Sequence, residues 1–102
     1  MFAVVYSFEV KKGAEKRFER SWAELTKLIR EHRNSLGSRL HQGSSPTSYI
    51  AYAQWPDRKT WADSDVSMPT ETEHWRSEIR ASCTDIKTVY ELDMVSDLLI
   101  NQ

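Results

Sequence analysis

The sequence predicts an α+β protein of the ferredoxin-like class: a βαββαβ chain forming an antiparallel sheet with its helices on one face. Three observations carry that expectation. Residues 2–10 alternate strictly, residues 14–33 switch to a helical period, and residues 49–61 pass from strand to helix through a proline corner. All 102 residues are read as one domain, because no linker, repeat or low-complexity tract divides them.

Each element has a local reason. Phe2, Val4, Tyr6, Phe8 and Val10 share one strand face, and Ala3, Val5, Ser7 and Glu9 share the other. Gly13 marks the exit. Phe18, Trp22, Leu25, Ile29 and His32 then recur at spacings of four, three, four and three, with Glu15, Lys16, Glu19, Glu24, Lys27 and Arg30 on the opposite side. Residues 35–43 read as a second, weakly alternating strand. Ser44, Ser45, Pro46, Thr47 and Ser48 supply a hairpin turn. Residues 49–55 form the third strand. Pro56 ends it, since proline cannot donate to a ladder and holds Trp55 extended. Asp57 is placed to cap a short helix over 58–63, from which Trp61 packs inward. Thr70 and Glu73 match a capping box for a further helix carrying Trp75, Ile79 and Ser82 or Cys83 on one stripe. Residues 86–95 read as the last strand. Ile86, Thr88, Tyr90, Leu92 and Met94 fall on one face, and Lys87, Val89, Glu91, Asp93 and Val95 on the other. Leu98, Leu99 and Ile100 make an apolar tail.

Composition excludes several functions. Net charge is −1 with 28% charged residues, so there is no basic footprint for nucleic acid. No apolar run approaches the ~20 residues that span a membrane. Met1 leads straight into strand-like sequence with no basic leader, and the single Cys83 permits no internal disulfide. The expected setting is cytoplasmic. The three histidines and Cys83 show no paired ligand spacing, so no metal site is expected.

The polar candidates are His41 and Arg39, which share a strand face, and His74, which precedes Trp75 on a helix. Each has a plain alternative: an exposed edge-strand pair for the first two, a helix-surface imidazole for the third. Four tryptophans and four tyrosines in so short a chain either fill the core or line a slot for a flat aromatic ligand. The geometry places such a pocket between sheet and helices, lined by Tyr6, Trp22, Tyr52, Trp61 and Tyr90. Tyr52 belongs to it in only one of the two registers open to its strand. The other sheet face carries Ala3, Val5, Val89 and Val95 with no helix left to cover it. A second copy packed sheet against sheet is the simplest cover.

The first strand with Lys12-Gly13 and Glu15, Phe18 and Trp22 in the helix, Gly37-Ser38-Arg39-Leu40-His41, and residues 49–61 together resemble the antibiotic biosynthesis monooxygenase domain family, across nearly the whole chain. The resemblance implies a dimeric α+β barrel. It also implies chemistry without metal or flavin, in which a proton leaves an acidic phenolic carbon and the anion reacts directly with oxygen. That chemistry needs an aromatic slot, a polar group for the enolate oxygen and a weak base. His41, Arg39 and His74 are the candidates for the polar roles. The fold also serves non-catalytic ligand binding and haem degradation. Haem-degrading members are similar in carrying an Asn on the first strand, where this chain has Tyr6 and Ser7, and in a closer Trp–His spacing than Trp61 and His74 provide.

Overall fold

A computed structural model describes residues 1–99, so Ile100 of the expected tail lies outside the described residues. The elements are β1 (Phe2–Val10), α1 (Glu15–His32), β2 (Gly37–Gln42), β3 (Ser48–Trp55), α2 (Arg58–Ala62), α3 (Glu71–Ser82) and β4 (Cys83–Asp93). They build one antiparallel sheet in the order β2-β3-β1-β4, with the two longer helices packed against each other on one face. This is the ferredoxin-like α+β fold that the element order predicts.

The register of β3 settles what the sequence leaves open. Tyr6 lies opposite Ala51 and Val4 opposite Ala53, so the alanines face the helices. Tyr52 lies opposite Val5 and Ile50 opposite Ser7, on the other side. The inner face holds two apolar clusters. Phe8, Phe18, Tyr49, Ala51 and Ile79 form one, and Phe2, Val4, Ala53 and Trp55 form the other. Phe18 is the pivot of the first, with its ring 4.9 Å from those of both Phe8 and Tyr49.

Two details differ from the sequence expectation. The helix over Glu71–Ser82 is not started by a capping box. Thr70 is itself in helical backbone geometry and its hydroxyl makes no cap; instead the Pro69 carbonyl accepts from the Thr72 amide at 3.0 Å. The last strand begins at Cys83, directly from α3, and its register against β1 shifts between Val5 and Tyr6. Thr88 lies opposite Tyr6, yet Tyr90 lies opposite Val5 and Leu92 opposite Ala3. This bulge consumes one residue at Val89 and reverses the alternation beyond it. Tyr90 and Leu92 therefore sit on the outer face, and Glu91 on the helix side, where it pairs with Arg58 of α2.

Asp57 caps α2 as its position predicts: its carboxylate accepts from the Thr60 amide at 2.7 Å, which holds its pKa below the usual carboxylate value. Trp61 then reaches inward, its ring 5.5 Å from that of Phe2.

Candidate functional site

Between the two inner-face clusters lies a cavity of about 220 Å³. Strand β1 supplies Tyr6 and Phe8 to its lining, α1 supplies Trp22, Leu25, Thr26 and Ile29, and β3 supplies Ala51, Ala53 and Trp55. Ser35, Ser38 and Ile86 complete it. Its origin is legible in side-chain size. Large rings on β1 and α1 face each other across a strand that contributes methyl groups at Ala51 and Ala53, and the missing volume is the cavity. It exceeds the roughly 150 Å³ that suffices to admit a benzene ring into an apolar void.

Polar groups are few and placed singly. The Trp61 indole N–H donates to the Tyr6 hydroxyl at 2.9 Å. That bond occupies a lone pair of the phenol oxygen and leaves its proton available to an acceptor in the cavity. Burial pushes the Tyr6 pKa above 10; the Trp61 bond and the Arg33 charge oppose that rise, and the Glu91 charge adds to it. Tyr6 is thus a neutral donor at ordinary pH. The Trp55 indole N–H is buried away from the cavity, in a side chain 3% exposed, and has no hydrogen-bond partner among the described residues. A buried donor left unpaired costs free energy. The Arg33 guanidinium lies 5.2 Å from the Trp55 ring and donates to the carbonyls of Trp61 and Asp63, both at 2.7 Å. One arginine so ties the end of α1 to α2 and its exit.

The structure divides the residues singled out from sequence. Tyr6 and Trp22 line the cavity, and Trp61 stands behind Tyr6 as its hydrogen-bond partner. Tyr52 and Tyr90 do not line it. Tyr52 is turned outward by the β3 register, and Tyr90 by the β4 bulge, leaving it 59% exposed. Arg39 lies opposite Tyr52 and His41 opposite Ile50, so both belong to the outer face of the edge strand. His74 lies in a separate groove between α1 and α3, edge-on to Trp75 at 4.7 Å between ring centroids. None of the three is brought to the cavity. Sequence reasoning missed Trp55, Phe8, the two alanines and the serines at the start of β2. The Trp55–Pro56 corner was a visible signal for the first, and the alanines depended on the register.

Among the described residues no three His, Cys, Asp or Glu side chains are grouped to hold a metal ion. The cavity lining contains no His or Cys, so a haem would find neither of those axial ligands there. Cys83 is buried, and burial pushes its thiol up to about 11, which keeps it protonated and unreactive. Among the described residues no helix is long and apolar enough to cross a membrane.

An antiparallel sheet with helices on one face defines a ferredoxin-like α+β protein. A family model described as antibiotic biosynthesis monooxygenase matches residues 1–67, and the chain belongs to that family. Solved structures agree on the fold. A protein from Bordetella bronchiseptica named for the same family superposes with a TM-score of 0.74 at 21% identity, covering 93% of this chain and 97% of that one. One from Nitrosomonas europaea gives 0.73 at 18%, covering 94% and 100%. SnoaB from Streptomyces nogalater, a cofactor-independent oxygenase, gives 0.72 at 18%, covering 95% of each chain. No curated protein matches the sequence.

Proposed function

We propose that this chain is a cofactor-independent oxygenase of a small aromatic or quinone-like molecule, bound in the cavity between sheet and helices. The observation that carries the reading is the Tyr6–Trp61 pair: a neutral, half-buried phenol, oriented by an indole N–H, with its own proton free for a ligand oxygen. A phenolic substrate with an acidic ring carbon loses a proton, and its charge moves onto oxygen. Tyr6 donates to that enolate oxygen. The carbanion form adds dioxygen to make a carbon–oxygen bond, and the peroxide takes up a proton. The same carbon then loses its second hydrogen as a proton while the O–O bond breaks, and water departs to leave a carbonyl. The carbon surrenders four electrons, and dioxygen takes all four, ending as one carbonyl oxygen and one water. Tyr6 is the one titratable side chain on the lining, and it is a donor. The substrate's proton therefore passes to water, and the protein acts by stabilising the anion.

Family membership and the likeness in fold to a cofactor-independent oxygenase support this reading. The working unit in the proposal is a homodimer joined through the outer sheet faces. Ala3, Val5, Tyr52, Tyr90 and Leu92 lie there, with Tyr90 and Leu92 exposed and no helix over them. A second reading, a ligand-binding dimer without turnover, is favoured by the same absence of any carboxylate, imidazole or amine on the lining.

Oxygen uptake with anthrone and hydroquinone substrates decides between them. The oxygenase reading expects turnover, and Tyr6→Phe should lower kcat by about 10²-fold while leaving ligand quenching of tryptophan fluorescence intact. Saturable quenching with no oxygen uptake would establish the binding protein instead.

A further inference from the structure

A second cavity, about 260 Å³, adjoins the aromatic chamber at the edge strand β2. Thr26 and Ser38 line both, so the two spaces meet at these residues. The two spaces are opposite in character. The chamber is lined by rings and aliphatic groups and has no formal charge. The vestibule gathers Lys27 and Arg30 from α1 and Arg39 from β2, with the Tyr52 hydroxyl and the Gln54 amide, and no carboxylate among its lining residues. This is not a consequence of general basicity, since the chain carries a net charge of −1. Lys27 is drawn toward Glu24 at 3.5 Å, but neither Arg30 nor Arg39 takes part in an ion pair among the described residues. Gly37 borders the space. It begins β2 with a φ of +104°, and a Cβ there would meet only the Arg30 Cδ, at 3.9 Å. The vestibule's lining runs from Ser38, opposite Ala53 on the helix side of the sheet, to Arg39 and Tyr52 on the outer side.

We propose that the ligand of the aromatic chamber is an aromatic carboxylate, whose ring enters between Trp22 and Tyr6 and whose anionic group stays in the vestibule between Arg30 and Arg39. The proposal rests on the chamber being the ligand site. Physical chemistry dictates the division. A carboxylate inside the chamber would be desolvated with no cation beside it, whereas in the vestibule it keeps water and gains two guanidinium partners able to bind it in a forked, bidentate way. The small Thr26 and Ser38 side chains between the spaces allow the link from ring to carboxylate to pass. Arg39, a sequence candidate for stabilising charge at the reacting centre, becomes a binding residue for a charge remote from the reacting carbon.

The test is a matched pair of probes, 2-naphthoate and 2-naphthamide, titrated by tryptophan fluorescence against the unaltered protein, Arg30→Gln and Arg39→Gln. The expected result is tighter binding of the carboxylate by at least tenfold at low salt, shrinking as salt is raised. Each substitution should lose about tenfold or more for 2-naphthoate and leave 2-naphthamide unchanged. Circular dichroism of the variants checks that the fold is retained. Equal affinity for the two probes, unaffected by either substitution, would overturn the carboxylate assignment and leave the chamber standing. Failure of both probes to bind would remove the chamber as an aromatic site, and the carboxylate assignment with it.

Discussion

The two faces of the sheet are built from alternate residues of the same strands, and they have opposite fates. On the inner face Phe2, Val4, Phe8, Ala51, Ala53 and Trp55 are all buried, closed over by α1, α2 and α3. On the outer face Ala3 is buried between the flanking strands, Val5, Tyr52 and Gln54 are half-buried, and Tyr90 and Leu92 stand exposed. The difference teaches where to look for each property. Stability within one copy resides on the inner face, along with the space left by the alanines. The outer face contributes little to folding alone, and its apolar groups gain their full value only when water is removed by something else.

The sharpest way to break that contrast is to truncate one ring on each side. Phe18→Ala removes the pivot between Phe8 and Tyr49 and should cost about 3–5 kcal/mol, read as a drop in the urea midpoint. Tyr90→Ala, an equally large truncation on the outer face, should cost below about 0.5 kcal/mol in a dilute, monomeric sample. Comparable losses would mean that both faces hold the monomer together.

Association is the next test. Val5 lies at the centre of the outer face, between Tyr52 and Tyr90. Val5→Glu would place a carboxylate there, and in the proposed sheet-to-sheet dimer that charge is desolvated without a partner. Light scattering at micromolar concentration should show a dimer for the unaltered chain, and a dissociation constant raised by at least about tenfold for the variant. A monomer before any substitution would remove the sheet-to-sheet dimer.

Asp57→Ala should have a smaller effect. The residue is exposed, and what it supplies is one carboxylate–amide bond at the start of a five-residue helix. That helix carries Trp61, so the loss should appear less in the urea midpoint than in Trp61 fluorescence and in weaker binding at the Tyr6 donor.

Much of this division was legible in the residues themselves. The alternation of β1 and the four–three–four–three spacing of α1 are long, unbroken patterns, and each is read from a single segment. Trp61 and Asp57 were legible because proline and a capping carboxylate act on immediate neighbours. The rest depends on how strands meet. Nothing within residues 86–95 announces the bulge at Val89, because it is a property of β4 paired with β1, and it alone carries Tyr90 to the outer face. The inward turn of Ala51 and Ala53 is likewise a register fact, and so is the outward placement of Tyr52 and Arg39. His41 and His74 drew notice for their chemistry alone, and chemistry without register could not tell which side of the sheet, or of the helix layer, each would occupy.

The smallest effect sharpens the inner face by titration. The Tyr49 hydroxyl donates to the Glu19 carboxylate at 2.7 Å, and burial together with that partner pushes its pKa up to about 12 from an ordinary 10. Below pH 10 both folded and unfolded chains hold the proton, and the contribution to stability is complete. Between 10 and about 12 the unfolded chain releases it while the folded chain does not, so the folded state binds more protons and stability falls as pH rises. Tyr6, raised mainly by burial, adds a loss of the same sign. Urea midpoints measured between pH 9 and 12 should therefore decline for the unaltered protein. Tyr49→Phe should be somewhat less stable near neutrality, having lost a charge-assisted hydrogen bond, yet decline less steeply above pH 10, with Tyr6 and the buried Cys83 thiol supplying the remaining slope. An unchanged slope in Tyr49→Phe would mean that this phenol meets solvent, and that the wall between Phe18 and β3 is looser than its ring contacts imply.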